Sequence, residues 1–295
     1  MNNDSFEFYI DKHGDKIKKV LAEKLYFSNR LMRKLEDSGN IYLNDKKAKL
    51  DKNTYIDDIL RVDFEDEDNI YKGNNIDLDI LYEDEDILAL NKPAYILVHP
   101  SKEERKDTLA NGVVTYFKSK DIKRKIRFVN RLDMNTSGVV LLAKNSYGQS
   151  RLMREMKKNK VTKKYLAIVE GYFEKEAGEI SKSIGLASGE NIKRNVMDSG
   201  DFCKTKYKVV EELKNNLSLV EVELETGRTH QIRVHMAYLN HPLLGDELYG
   251  ETSKLIDRQA LHCLEMIFES TRSKKIVSVK APLPKDLEKI LEGNR

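Results

Sequence analysis

Residues 128–145, which read FVNRLDMNTSGVVLLAKN, constrain the fold of this chain more than any other stretch. An apolar pair enters a polar turn, and Gly138 then begins a second apolar run over residues 139–143, a pattern typical of a buried strand. The pattern predicts that Arg131 and Asp133 lie on a loop between two core strands. A carboxylate on such a loop can point into a cleft, whereas a turn aspartate commonly hydrogen-bonds its own backbone, and this stretch leaves both interpretations open.

Length and composition limit the class of protein. The chain has 295 residues, which predicts one small and one large domain, and its 40% hydrophobic content suffices for a sizeable core. A formal net charge of +3 does not by itself indicate a nucleic-acid binder, so any basic surface must be local. Cys203 and Cys263 are far apart and outside metal-ligand spacing, which favours a reducing cytoplasm and predicts no metal site. Residues 1–10 carry acids without an apolar core, and no segment has the roughly 20 apolar residues of a membrane span.

The first 70 residues differ in pattern from the rest and predict a separate small domain. Apolar residues at helical spacing predict a first helix over residues 17–25, with lysines on its opposite face. A second helix is predicted between Ser28 as N-cap and Gly39 as the stop, and short strands follow over residues 41–46 and 55–64. Two basic helices followed by strands resemble the alpha-L RNA-binding fold, although charge on two helices is more commonly a solvated face. The residues predicted to contact RNA phosphates here are Lys18, Lys19, Arg30, Arg33 and Lys34.

A linker is predicted at residues 71–75, within an acidic, glycine-containing stretch that breaks the apolar periodicity. The pattern then changes to that of strands, so residues 76–295 are predicted to form the larger domain. Its expected elements are a hairpin over residues 80–90, helices over 109–117 and 149–160, an excursion over 178–200, and strands over 163–169, 207–211 and 217–224.

A second informative stretch, residues 224–236, reads LETGRTHQIRVHM. A strand is predicted to end in the Thr-Gly turn, and Thr229 is predicted as the N-cap of a helix with one buried apolar stripe. Arg233 lies close to that stripe. A buried arginine needs a carboxylate partner, because an unpaired buried charge costs several kcal/mol. The partner is either a neighbouring glutamate or Asp133.

Four motifs occur in an order and spacing that resemble the RluA-type pseudouridine synthases. They are Asn91-Lys92-Pro93 with Val98-His99-Pro100, Arg131-Leu132-Asp133 with Thr136-Ser137-Gly138, Lys163-Lys164-Tyr165 with Ala167 and Gly171, and the run over residues 226–235. The resemblance covers about residues 76–284. It implies an α+β fold, with a catalytic domain on a long, mostly antiparallel mixed sheet that has a central cleft, beside the small N-terminal α/β domain.

The resemblance implies an RNA pseudouridine synthase, an isomerase that converts uridine within RNA to its carbon-linked isomer without cofactor or metal. It assigns to Asp133 the role of an anionic nucleophile, which attacks either the sugar or the uracil ring. It assigns to Arg233 the guanidinium that pairs with this carboxylate, and to Tyr165 the ring that stacks on the uracil. The residues expected to bind the RNA are Asn130, Arg131, Thr136, Lys163, Lys164, Arg228, His230 and Gln231. The expected partner is large-subunit ribosomal RNA or transfer RNA, and the expected state is a cytoplasmic monomer.

Asn130 departs from the family, which more often has a histidine there, and an amide cannot take a positive charge. Two other classes of protein remain open. A non-catalytic RNA-binding protein on this scaffold would be expected to lack Asp133, Tyr165 or Arg233, and all three are present. A nucleoside hydrolase would need a second acid, whereas the central loop offers one carboxylate. His99 is interpreted as a structural loop residue, because no Ser or Cys pattern supports a triad.

Overall fold

The chain folds into two sheets, each with its own apolar core. The computed structural model describes residues 5–65, 68–100 and 107–295. Residues 1–4 of the acidic N-terminus and residues 66–67 of the acidic stretch around the predicted linker lie outside the described residues. In the part described, no helix is both long and apolar enough to cross a membrane.

The N-terminal unit contains short helices and four strands within the described residues. They are β1 (Ser5–Tyr9), α1 (Ile17–Lys19) running into a π-helical turn (Val20–Lys24), α2 (Asn29–Asp37), β2 (Ile41–Leu43), β3 (Lys46–Lys47) and β4 (Ile59–Asp63). The strands are antiparallel and lie in the order β1-β4-β2-β3. The Ser28 hydroxyl accepts a hydrogen bond from the Leu31 N–H at 3.2 Å, and Gly39 has φ +67°, which confirms both predicted ends of α2.

Two features of this unit differ from the sequence-based prediction. The acidic N-terminal residues do not predict a strand, yet β1 pairs along its whole length with β4, and Phe6 is buried. Five residues of alternation do not distinguish a strand from a loop unless the distant partner is known. The first helix is α-helical for one turn and π-helical after it, although Val20 and Leu21 are buried as predicted.

The larger sheet has eleven strands within the described residues. They are β5 (Asp79–Glu83), β6 (Ile87–Lys92), β7 (Arg127–Phe128), β8 (Ser137–Ala143), β9 (Thr162–Glu170), β10 (Ala177–Leu186), β11 (Arg194–Val196), β12 (Asp201–Leu213), β13 (Leu217–Leu224), β14 (Leu261–Glu269) and β15 (Ile276–Lys280). The accompanying helices are α3 (Leu109–Ser119), α4 (Ser146–Lys157), α5 (Gln231–Tyr238) and α6 (Lys285–Asn294).

The order of this sheet brings distant strands together. It runs β11-β10-β12-β13-β9-β14-β8-β6-β5, with β15 paired to β14 and β7 paired to β8. β14 and β8 are parallel, whereas the other strand pairs are antiparallel, which confirms the predicted mostly antiparallel mixed sheet. The α+β fold class is confirmed as well.

Several element boundaries differ from prediction. Helix α4 begins at Ser146 rather than residue 149, because the Asn145 side chain accepts a hydrogen bond from the Gly148 N–H at 2.8 Å and caps the helix there. The polar excursion over residues 178–200, predicted to consist of short strands and loop, contains most of β10 and all of β11, which pair as a hairpin. Strand β12 begins at Asp201, because its polar first half pairs with β10.

The two units contact each other through Tyr147, which lies in the first turn of α4. Its side chain is fully buried and completes the N-terminal core, with ring centroids 4.8 Å from Phe6 and 5.1 Å from Phe27. Its hydroxyl donates a hydrogen bond to the Thr271 carbonyl at 3.0 Å. The core of the N-terminal sheet therefore depends on a side chain from the larger unit.

Charged contacts surround this aromatic one. The Arg272 guanidinium donates hydrogen bonds to the buried Asp86 at 3.0 and 2.9 Å and to the Ser5 carbonyl at 3.0 Å. Near the predicted linker, Asn69 donates to the Arg124 carbonyl at 2.6 Å. The domain limits 1–70, 71–75 and 76–295 remain a prediction.

Candidate active site

The loop that carries Asp133 is tied to the sheet by Asn130. The Asn130 side-chain amide donates to the Val139 carbonyl at 3.2 Å, and its oxygen accepts from the Leu141 N–H at 2.7 Å. Both polar ends of this side chain are therefore used by the backbone of β8. We reassign Asn130 from RNA contact to holding the loop, a role that an uncharged amide fulfils without titrating.

Lys92 lies beneath the same loop and is fully buried. Its ammonium group donates to three backbone carbonyls, those of Pro93 and Ile96 at 2.8 Å and that of Met134 at 2.9 Å. Burial lowers the pKa of Lys92 to about 7, although the charge of Asp133 opposes this shift. The three carbonyl acceptors match the three protons of the charged amine. Lys92 thus holds the residue next to Asp133 in place.

Arg258 holds the loop from the other side. Its guanidinium donates to the Asn135 carbonyl at 3.0 Å and pairs with Asp286 at 2.7 and 3.1 Å. The neighbouring Gln259 donates to the Thr136 hydroxyl at 3.2 Å. Both Arg258 and Thr136 are buried, so this part of the loop is packed rather than solvated.

Gly138 allows β8 to approach β14 closely. Its φ is +111°, and a Cβ there would lie 2.2 Å from the Cys263 carbonyl oxygen. Cys263 pairs with Gly138 on one side and with Tyr165 of β9 on the other. The parallel β8–β14 pair therefore places the end of the Asp133 loop next to Tyr165.

Tyr165 is 94% buried and lines the same cavity as Asp133. Burial, with a smaller effect from the Cys263 side chain, raises the pKa of the Tyr165 phenol well above its ordinary value. The phenol is therefore protonated at neutral pH. Its uncharged ring lines the cavity.

Arg233 is paired chiefly with Asp246, which the sequence analysis did not select. Its Nε and Nη2 donate to the two Asp246 carboxylate oxygens at 2.7 Å each, whereas Nη1 donates to Asp133 Oδ2 at 3.2 Å. Burial alone would lower the pKa of Arg233, but the hydrogen bonds and charge of Asp246, with the charge of Asp133, raise it. The prediction of a carboxylate partner is correct, but the principal one is neither a glutamate nor Asp133.

The N-terminus of α5 differs from prediction. The N-cap is His230, which has a left-handed backbone with φ +58°, and not Thr229. Among the described residues no side chain caps the helix, and the Gln231 side chain instead holds the turn before it, because its oxygen accepts from the Arg228 N–H at 3.0 Å and from the Thr226 hydroxyl at 2.8 Å. Its amide group donates to the Lys204 carbonyl and the Thr205 hydroxyl at 3.0 and 2.9 Å. We therefore reassign Gln231 from RNA contact to holding this turn.

An open groove of about 620 Å³ leads to Asp133; we call it the active-site groove. Arg131 and Arg228 are exposed on its wall, and Lys163 lies beside Tyr165 on the same face of β9. Lys163 is buried, and burial lowers its pKa. The groove is lined by His99, residues 128–131, Asp133, Met153, Met156, Lys157, Asn159, Lys163, Tyr165 and residues 224–229.

Lys164 does not belong to this groove. Alternation along β9 turns it to the opposite face from Tyr165, where its ammonium lies 3.9 Å from Glu265. Leu166 and Ile168 follow on that face and pack in a different core from that of Tyr165. The structure therefore places Lys164 outside the active-site groove, and its contact with RNA remains a prediction.

A second groove, of about 780 Å³, continues toward the N-terminal unit; we call it the α2 groove. It shares His99 and Phe128 with the active-site groove, and Arg30 and Lys34 of α2 line it. The other basic residues predicted to bind RNA, Lys18, Lys19 and Arg33, are exposed but do not line it. Lys19 pairs with Asp15 at 2.8 Å.

The residues of this site lie within a segment that matches a known protein family. Residues 86–238, which include the Asp133 loop, Tyr165 and Arg233, match the family model described as RNA pseudouridylate synthase. The chain belongs to this family. The synthase is therefore an isomerase that acts on RNA, and its resemblance to the RluA-type enzymes is confirmed.

Individual relatives agree with this assignment. The synthase is 35% identical to the uncharacterized RNA pseudouridine synthase YjbO of Bacillus subtilis, over 93% of this chain and 98% of the relative. It is 36% identical to ribosomal large subunit pseudouridine synthase D of Vibrio cholerae, over 77% of this chain and 74% of the relative. The solved structure of human RNA pseudouridylate synthase domain containing 1 is similar with a TM-score of 0.59 and 30% identity, over 73% of this chain and 87% of that one.

Three residues of the synthase contact the site although the sequence does not predict them there. The Asn91-Lys92-Pro93 motif predicts no role for Lys92. Arg258 and Asp246 lie outside the four motifs that resemble the family. A signal for Asp246 exists, because it is an acid that directly follows an apolar pair and Gly245, thirteen residues after Arg233. Within the described residues, no cluster of three or more His, Cys, Asp or Glu side chains is arranged to hold a metal ion. The expected lack of a cofactor remains a prediction.

Proposed function

We propose that the synthase isomerises uridine in large-subunit ribosomal RNA, with Asp133 as the nucleophile. The observation that carries this proposal is the position of the Asp133 carboxylate, 23% exposed at the inner end of a groove and 3.2 Å from the Arg233 guanidinium. A carboxylate that is held by a cation and reached through a groove can attack a bound substrate. Ribosomal RNA is favoured because the relative from Vibrio cholerae is named for the ribosomal large subunit.

The residues around Asp133 suit each step of this reaction. The carboxylate forms a bond to the sugar or to the uracil ring, the glycosidic bond to nitrogen 1 breaks, and the uracil turns. The sugar then bonds to carbon 5 of the uracil, and the bond to the carboxylate breaks, which releases Asp133. The proton on carbon 5 leaves to solvent and nitrogen 1 takes up one proton, so the product is an isomer of the substrate. Arg233 holds the carboxylate, and its bonds to Asp246 hold Arg233 in turn. The ring of Tyr165, whose hydroxyl keeps its proton, offers a surface on which the uracil stacks.

The target uridine must leave its stack to reach Asp133, which costs a few kcal/mol. Stacking on an aromatic ring returns about 1–3 kcal/mol per base, and contacts with phosphates supply the remainder. Arg131, Arg228 and Lys157 are exposed cations on the wall of the groove. Arg131 and Arg228 also line the cavity that contains Asp133, so we assign phosphate contacts to these two. Thr136 and His230 line the cavity that contains Asp133 and Tyr165, and Lys163 lines the active-site groove beside Tyr165. We assign these three residues to the flipped nucleotide or to the residues that hold it.

The RNA on either side of the flipped uridine extends along the α2 groove. Arg30 and Lys34 lie on that path, and His99 stands where the two grooves meet. We therefore assign the RNA contact of the N-terminal unit to Arg30 and Lys34. Lys18, Lys19 and Arg33 do not line either groove and receive no such role.

The first test uses purified protein. Asp133→Asn should fold normally and lose isomerisation of the cognate RNA, because an amide of the same shape is no nucleophile. Asp45→Asn is a matched control, because Asp45 is 91% exposed in a turn of the N-terminal unit, and it should keep full turnover. Turnover by Asp133→Asn would refute the assigned nucleophile.

The second test identifies the substrate. Pseudouridines would be mapped in ribosomal and transfer RNA from a strain that lacks the protein, and again after return of the wild-type or the Asp133→Asn gene. A ribosomal site that is lost and is restored by the wild type alone supports the proposal. A site lost from transfer RNA alone would refute the proposed ribosomal substrate but would still support pseudouridine synthase activity.

A further inference from the structure

Tyr249 lies behind the candidate active site and contacts two of its residues. Its ring faces the Arg233 guanidinium, with 5.0 Å from the guanidinium carbon to the ring centroid. Its hydroxyl lies 2.8 Å from Nδ1 of His230 and accepts a hydrogen bond from the Arg194 N–H at 2.9 Å. Tyr249 is thus connected both to the cation that holds Asp133 and to the imidazole beside it.

These contacts decide the direction of the hydroxyl proton. A phenol has one proton to donate. The Tyr249 oxygen accepts a hydrogen bond from the backbone N–H of Arg194, which can act only as a donor. Among the described residues, the other polar atom within hydrogen-bond distance of this hydroxyl is His230 Nδ1. If the hydroxyl also accepted from Nδ1, its own proton would have no acceptor among the described residues. The hydroxyl is therefore taken as the donor to Nδ1, which then carries no proton.

The remaining proton of His230 is then located. Burial lowers the pKa of His230, and the charges of Arg233 and Arg194 lower it further, which together outweighs the opposing effect of the Asp133 and Asp246 charges. A neutral imidazole carries one ring proton, and with Nδ1 occupied as an acceptor that proton is on Nε2. Nε2 lies 3.7 Å from Asp133 Oδ2.

We propose that Tyr249 is a positioning residue that holds His230 in the Nε2–H tautomer, so that an N–H and not a lone pair faces the Asp133 carboxylate. The inference rests on the proposed role of Asp133. In the opposite tautomer, the Nε2 lone pair would face the carboxylate oxygen, and the two would repel each other. Asp133 would then lose one of the two groups that orient it toward the substrate.

The first experiment reads the tautomer directly and needs no RNA. The full-length protein would be labelled with ¹⁵N-histidine, and two-bond nitrogen–proton correlations would be recorded at pH 7.5, with His230→Gln used to assign the His230 signals. The wild type should show the neutral Nε2–H form. Tyr249→Phe should show the Nδ1–H form or a mixture of the two. Tyr238→Phe, which changes a half-exposed tyrosine at the end of α5, should leave the His230 spectrum unchanged.

The second experiment measures turnover. Tyr249→Phe should lower kcat about ten-fold, equivalent to about 1.4 kcal/mol, with KM changed less than two-fold, because the ring and its contact with Arg233 remain. His230→Gln supplies an N–H near the Nε2 position and should retain more activity than His230→Asn, whose amide reaches only the Nδ1 position. A merely structural histidine would not give this order.

The outcomes separate this inference from the proposed function. A wild-type His230 that is charged or carries its proton on Nδ1 would overturn the inference, whatever the activity of Asp133→Asn. An unchanged tautomer and kcat in Tyr249→Phe would overturn it as well. If Tyr249→Phe fails to fold, the wild-type spectrum and the comparison of His230→Gln with His230→Asn still decide. Activity in Asp133→Asn would instead refute the proposed function and leave the tautomer result standing.

Discussion

Asp246, and not Asp133, is the residue that holds Arg233. It accepts two hydrogen bonds from the guanidinium at 2.7 Å each and is 99% buried, whereas Asp133 accepts one at 3.2 Å and is partly exposed. A carboxylate that binds a guanidinium with both oxygens fixes its plane as well as its position. Arg233 is therefore oriented before any substrate binds, and one nitrogen is left to hold Asp133.

This relationship predicts how stability responds to substitution. Arg233→Met should cost about 3–5 kcal/mol of unfolding free energy, because it leaves the buried charge of Asp246 without a partner. Adding Asp246→Asn should recover a large part of that loss, whereas adding Asp133→Asn should recover little, because water already solvates part of Asp133. Urea unfolding of the three variants measures the difference. Equal recovery from the two second substitutions would contradict the assigned order of partners.

The α2 groove predicts which basic residues bind RNA. Neutralising Arg30 and Lys34 with glutamine should weaken RNA binding and reduce the slope of log affinity against log salt by about 1.5, because two phosphate contacts release fewer counterions. Lys18 and Lys19, changed to glutamine together, remove the same charge outside the groove and should leave the slope unchanged. Binding titrations at several salt concentrations make the comparison. A larger effect from Lys18 and Lys19 would show that the RNA follows another path.

Tyr147 predicts that the N-terminal unit is docked rather than loosely tethered. Tyr147→Ala should cost about 3–5 kcal/mol, because it removes a fully buried ring from the N-terminal core. If docking fixes α2 relative to the active-site groove, KM should also rise while kcat at saturating RNA persists. Tyr55→Ala, which changes a tyrosine that is 57% exposed in the same unit, should do neither. Deleting residues 1–70 would expose Tyr147, so that truncation alters stability together with RNA binding.

Gly138 predicts a steric limit on the sheet beside the active site. Gly138→Ala places a Cβ 2.2 Å from the Cys263 carbonyl oxygen, at a backbone angle that other residues rarely adopt, and should cost about 1–3 kcal/mol. Gly293→Ala is the control, because a Cβ there meets nothing within 4 Å and the glycine lies in α6. Thermal unfolding of the two variants gives the comparison. A Gly138→Ala protein as stable as the control would show that β8 can move away from β14.

The burial of His262 predicts that the free energy of unfolding decreases as the pH falls. It is fully buried against the Ser137 hydroxyl at 2.9 Å, and burial lowers its pKa from 6.5 to about 4. The unfolded chain therefore takes up a proton below pH 6.5 that the native state refuses until about pH 4, so stability falls as the pH falls through this window. Between pH 7 and pH 5 the loss should be about 2 kcal/mol.

The same measurement on His262→Gln checks this origin. That variant should lose about 2 kcal/mol less than the wild type between pH 7 and pH 5. His13→Gln, which changes an exposed histidine of the N-terminal unit, should follow the wild type. Parallel curves for wild type and His262→Gln would assign the acid sensitivity to other groups.

Local patterns in the sequence determined the elements that depend on near neighbours. The apolar run after Gly138 predicts β8, and Ser28 and Gly39 predict both ends of α2, because a cap and a stop act within one helical turn. Side-chain spacing placed Asp133 on a loop between two strands. The order of four motifs indicated the family, and the family match confirmed it.

Tertiary structure alone decided which side chains meet. Alternation in the sequence puts Lys164 and Tyr165 on opposite faces of a strand. The pairing of β9 with β14 and the packing of each face determine that Tyr165, and not Lys164, lines the groove. The sequence predicts that Arg233 pairs with a carboxylate, either a neighbouring glutamate or Asp133. In the structure the principal partner is Asp246, which directly follows Gly245. Lys92, Arg258 and Tyr249 contact the site from separate parts of the chain. Such contacts depend on the order of strands in the sheet, and no periodicity in the sequence carries that order.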